Sequence, residues 1–212
     1  MQSRFSARRL KMATLFAALL FGPAALISHA DHASSAFSLI SSVQAEVVST
    51  PGGYEYSADV ALQIQNEIVE ALAKAGVATE ENKKLLLEEG GALMKKTVDA
   101  NPRLPAHDLA SAFTVGVSTE YLVRTGNLAT QDQEYAVYQG FNDSIGNSKY
   151  KLSALPDAEK QKLAEMIYWT SAMTKLFLAI GGDTYQKQAA GMAGQIKHII
   201  SVFDVMSERT TL

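Results

Sequence analysis

The sequence predicts an all-α fold, a single helical bundle or array of about five to six amphipathic helices placed after an N-terminal signal peptide. Three patterns predict it. From residue 57 onward apolar residues return every three to four positions, the spacing that gathers them on one face of an α-helix. Helix-stop residues interrupt that spacing at intervals of helix length, at Gly76, Asn101-Pro102, Gly126-Asn127, Gly146-Asn147 and Gly181-Gly182. Alternation with a period of two, the mark of a half-buried strand, does not occur after residue 56.

Residues 1–30 read as the signal peptide. MQSRFSARRLK is a basic segment, and MATLFAALLFGPAALI is an uncharged apolar run. Ser28-His29-Ala30 then places small residues at the two positions that matter for a cut before Asp31. An alternative cut follows Val43-Gln44-Ala45. The apolar run has 16 residues and is broken by Gly22-Pro23, whereas a membrane span needs about 20. Membrane contact is therefore expected only through the transient signal peptide. Arg8-Arg9 lacks the full twin-arginine surroundings, so a Sec-type route to a periplasmic or extracellular destination is expected. Residues 31–56 follow as an irregular leader with a Pro51-Gly52-Gly53 turn, and residues 57–212 form the helical domain.

A first helix starts at Ser57, an N-cap residue type, and runs to about Ala75, with Val60, Ile64, Ile68 and Leu72 on one face. A second runs from Thr79 to about Ala100, with Gly90-Gly91 as a candidate kink. A third is predicted from Pro105 to Thr125, since proline suits a first turn. The fourth opens on Thr130 with Gln133 three residues on, a capping box, and ends near Gly146. The fifth, from about Asp157 to Ile180, carries Leu163, Met166, Ile167, Thr170, Met173 and Phe177 on one face, widened by Trp169 and Leu176, and is expected to be central. The sixth runs from Asp183 to about Ser207, and its small residues Ala189, Ala193 and Gly194 permit close helix approach.

Composition removes several function classes. The chain has no cysteine, so disulfides, zinc–thiolate sites, covalent haem and a cysteine nucleophile are all excluded. Loss of residues 1–30 takes away Arg4, Arg8, Arg9 and Lys11 and leaves 15 basic against 22 acidic side chains. An acidic domain repels phosphate backbones, and nucleic acid is not an expected partner.

Few side chains suggest chemistry. His32, His107 and His198 show no H-x-x-x-H spacing, so no metal site is expected. His198 with a methionine would be a haem pair in a bundle, but methionines at helical spacing read as core, and no cofactor is expected. Glu120 lies seven residues after Phe113 and projects toward the apolar face of the third helix. A carboxylate there either pairs or has a raised pKa, so Glu120, opposed by Glu165, is the candidate acid pair, against the plainer reading of a stripe-edge carboxylate. Glu165 is also four residues after Gln161, an ordinary helix-surface pair. Tyr135, Tyr138, Phe141 and Tyr150, with Trp169, are the candidate lining of a ligand groove, against the plainer reading of core aromatics. No G-x-S-x-G elbow and no phosphate loop occurs.

The stretches Leu104-Pro105-Ala106-His107-Asp108-Leu109-Ala110-Ser111-Ala112 and Asp157-Ala158-Glu159-Lys160-Gln161-Lys162-Leu163-Ala164-Glu165 resemble two recurring motifs of an uncharacterised family of exported bacterial all-helical proteins, a domain of unknown function. The resemblance spans roughly residues 104–180. It implies an exported all-α domain and carries no functional residue. The expected function is a non-enzymatic binding or interaction protein of the envelope or the secreted fraction, its partner a protein, a peptide or a small apolar ligand. The alternative is a cell-wall-directed hydrolase using Glu120 and Glu165.

Overall fold

The computed structural model describes residues 50–74 and 83–212. The proposed signal peptide, both cuts and most of the leader lie outside the described residues, as do Gly76 and Thr79. Among the described residues there are six α-helices, α1 (Ala58–Lys74), α2 (Lys83–Val98), α3 (Leu109–Thr125), α4 (Gln131–Gly146), α5 (Asp157–Ile180) and α6 (Asp183–Val202). Short 3-10 turns follow α4 at Leu152–Ala154 and α6 at Glu208–Thr210. The fold is an all-α array with no strand among these residues, and its one extended pairing is an isolated antiparallel bridge between Gly53 and Asp108.

The centre of the array is a pair of helices. α5 packs against α1, α2, α3 and α6, while α3 packs against α4, α5 and α6. Every residue of α3 from Leu109 to Thr119 is buried. The sequence reason is the absence of charge between Asp108 and Glu120, which makes this helix apolar or small on all sides. Its buried hydroxyls are satisfied within the helix: Thr114 donates to the Ala110 carbonyl and Thr119 to that of Val115, each at 2.8 Å. Phe113 meets Phe141 of α4 edge-on at 5.4 Å between centroids, with Ile145, Ile167, Ile196 and Ile200 also fully buried. Gly116 lets α3 and α6 approach: a Cβ there would lie 2.6 Å from Ile196 Cγ2 and 3.1 Å from Ile167 Cγ2.

Helix boundaries follow local capping. Thr130 accepts from Gln133 N at 3.2 Å while Gln133 Oε1 accepts from Thr130 N at 2.9 Å, so the predicted capping box forms. α3 ends on Gly126 in the left-handed conformation, its N–H donating to the Leu122 carbonyl at 2.8 Å. Two expectations are corrected. α3 begins at Leu109, not Pro105, because His107 takes φ 55° and Asp108 is extended and caps the helix. α6 ends at Val202, not Ser207, and Asp204 turns the chain with φ 55° so that Val205 is buried. α2 runs through Gly90-Gly91 without a break. No helix among the described residues is long and apolar enough to cross a membrane.

Candidate functional site

The densest polar arrangement sits where residues 50–57, here called the strap, cross the N-terminal ends of α3 and α5. The first contact is the α3 cap. Asp108 Oδ1 accepts from Ser111 N at 3.0 Å, and its Oδ2 accepts from the Thr50 hydroxyl. The strap is then stitched along the same segment: Leu109 N donates to the Gly52 carbonyl and Tyr54 N to the His107 carbonyl, each at 3.0 Å. A Cβ on Gly52 would lie 3.2 Å from Ala110 N and 3.3 Å from Leu109, which is why the backbone can come this close.

α5 supplies the second set of anchors. The buried Lys160 ammonium donates to the Gly53 carbonyl at 3.0 Å. Gln161, fully buried, takes both backbone groups of Ser57: its Oε1 accepts from Ser57 N and its Nε2 donates to the Ser57 carbonyl, both at 2.8 Å. The same Nε2 donates to Glu165 Oε1 at 2.7 Å. At the helix start Asp157 accepts from Glu55 N at 3.1 Å. Tyr54 and Tyr56 flank the His107 ring, with centroids at 5.9 and 4.9 Å.

Burial shapes the electrostatics. It raises the Asp108 pKa, against the lowering pull of bonds from Thr50, Ser111 and Ala110 and of the Lys160 charge. It raises that of Glu165, against the Gln161 bond. It lowers that of His107. Burial, then the Glu165 and Asp108 charges, push the Tyr54 phenol up.

Glu120 lies elsewhere. Its carboxylate is one-fifth exposed and pairs with Arg124 at 3.4 Å on the same helix. Arg124 in turn donates to the Leu212 carbonyl at 2.9 Å. Glu120, Arg124 and Lys197 rim a pocket of about 130 Å³ floored by Gly116, Ile196 and Ile200. Glu165 has its partner in Gln161, near the strap, and shares neither partner nor pocket with Glu120. The Gln161–Glu165 pair is also not a surface pair, since both side chains are buried. The aromatic candidates separate too. Phe141 is in the core, and Tyr138 is buried and stacks on Tyr135, which lies under the Arg103 guanidinium at 4.2 Å. Tyr150 is exposed against Phe203, and Trp169 is buried on α5. Among the described residues no group of three or more histidine, aspartate or glutamate side chains could hold a metal ion.

Residues 43–190 match a family of unknown function, DUF6683. The chain belongs to that family. The span resembling recurring motifs, residues 104–180, falls inside the match. DUF6683 as matched takes in the strap, α1 to α5 and the start of α6, and so includes Asp108, Glu120, Lys160, Gln161 and Glu165. No curated protein matches the chain, and no solved structure does.

Asp108, Lys160 and Gln161 were not singled out from sequence. Asp108 had a readable signal, an aspartate three residues before Ser111 at the head of a charge-free run. Gln161 had a weaker one: it stands four residues before Glu165 and eight before Trp169, on the same face of a helix.

Proposed function

We propose that this DUF6683 member is an exported, non-enzymatic binding or interaction protein of the envelope or the secreted fraction. The observation that carries the reading is that the buried polar side chains Asp108, Lys160 and Gln161 are spent on architecture. Asp108, Lys160 and Gln161 each hold the strap, and the two glutamates that hydrolysis would call on have separate partners in separate places. Acid-pair chemistry on a glycan needs two carboxyl groups facing one bond, at most about 9.5 Å apart, with substrate between them. The pocket beside Glu120 is small against the roughly 300–1,000 Å³ of ordinary small-molecule sites. Export rests on the basic, apolar and small-residue order of the first 30 residues.

The competing reading, a wall-directed hydrolase, draws on the raised pKa of Glu165, a property of general acids. One experiment separates the two. The purified mature protein is incubated with cell-wall glycan and peptide, alongside Glu120→Gln and Glu165→Gln. Absence of turnover in all three supports the binding reading, and turnover that falls in either variant overturns it.

A further inference from the structure

Among the described residues seven buried side-chain polar atoms have no hydrogen-bond partner, and two of them, on Glu165 and Trp169, belong to residues four apart on α5. Glu165 is 4% exposed, and its Oε2 has no hydrogen-bond partner among the described residues, its Oε1 being held by Gln161. Trp169 is likewise 4% exposed, and its indole Nε1 has none either. The two residues are four apart on α5, so their Cβ atoms are neighbours on one helix face, about 5–6 Å from each other. Buried polar groups in folded proteins are almost always paired, and two that are orphaned side by side point to a shared partner.

We propose that Glu165 and Trp169 form a hydroxyl-binding site, in which a single hydroxyl oxygen bridges Glu165 Oε2 and the Trp169 indole N–H. The chemistry selects this class. The indole donates only, so its partner must accept. The carboxyl group accepts when ionised and donates when protonated, so its partner must be able to do either. An ammonium group cannot accept from the indole, and an anion cannot donate to a carboxylate and is repelled by it. A hydroxyl oxygen does both, through bonds of about 2.8–3.0 Å. The oxygen belongs either to a bound water, which characteristically makes two to four such bonds, or to a polyol or sugar ligand. The Tyr54 and Tyr56 phenols feel the Glu165 charge, and Tyr56 is exposed. The site does not depend on the binding reading above.

The chain has one tryptophan, so nitrogen-15-labelled protein gives one indole N–H signal, and that signal reports the site. The expected result is direct rotating-frame cross-relaxation from water to this proton, distinguished from chemical exchange by its opposite sign, if the oxygen is water's. If it is a polyol's, titration with glycerol shifts the signal saturably. Glu165→Gln, which keeps an acceptor and a donor, retains the effect, and Glu165→Leu loses it. An indole signal in the unmodified protein with neither water transfer nor a glycerol-dependent shift overturns the proposal, whatever the variants do.

Discussion

Replacing Gln161 by leucine tests the strap directly, because one amide holds three bonds in that site. Leucine is close to glutamine in volume, so the change removes hydrogen bonding with little change of packing. The bonds to Ser57 N, Ser57 O and Glu165 Oε1 measure 2.8, 2.8 and 2.7 Å, and each contributes about 0.5–1.5 kcal/mol net. Ser57 is half-buried, so its freed backbone groups can turn to water. Glu165 is buried, and leaving its Oε1 bare adds about 1–3 kcal/mol. The leucine side chain returns about 1–2 kcal/mol of apolar burial. At mid-range these contributions leave a net loss of about 3.5 kcal/mol, which for a domain of this size lowers Tm by about 7–14 °C. Urea unfolding followed by Trp169 emission measures the global term. Hydrogen exchange of the Ser57 amide measures the local one, and that amide should lose protection while those of α6 keep theirs. A loss under about 1 kcal/mol with the Ser57 amide still protected would refute the claim that Gln161 anchors the strap.

Further outcomes follow from the same geometry. Asp108→Ala removes the α3 cap and the Thr50 acceptor together and should cost about 2–3 kcal/mol by denaturant unfolding, whereas Asp108→Asn, which keeps a capping oxygen, should recover most of it. Gly140→Val drives a side chain into the Arg209 carbonyl, since even a Cβ would lie 2.5 Å from it. It should cost about 1–3 kcal/mol and expose the Arg209 peptide to limited trypsin digestion while α4 stays intact. The pKa of Glu165 is raised in the fold, so the stability it contributes is complete below its ordinary value of 4.5 and declines as pH rises through the folded value. The stability of the unmodified protein relative to Glu165→Gln should therefore be greater at pH 4 than at pH 7, and a difference unchanged or reversed in sign of slope would contradict the burial argument. His107, lowered by desolvation, should titrate by proton NMR with a midpoint below 6.5.

Helix periodicity and stop residues were legible along the chain because both are local. α5 was expected over Asp157–Ile180 and occupies that span, and the Thr130–Gln133 box forms as its spacing requires. The start of α3 was misread for a reason equally local but competing: Pro105 suits a first turn, yet a positive φ at His107 and an aspartate cap at Asp108 end the irregular segment later. Glu165 looked like half of a solvated pair with Gln161, since four-residue spacing says only that two side chains share a face, not what covers it.

What covers it is the business of distant sequence. Periodicity places Gln161, Glu165 and Trp169 on one face of α5, because that property depends on neighbours three or four residues away. That the strap lies 104 residues upstream of Gln161 and closes on it, that α3 is buried all along Leu109 to Thr119, and that Gly116 packs against Ile196 were decided only when the helices packed. Burial raises the energy of an unpaired polar atom in proportion to what surrounds it, and those surroundings are assembled by chain closure over long separations, which a spacing rule does not encode.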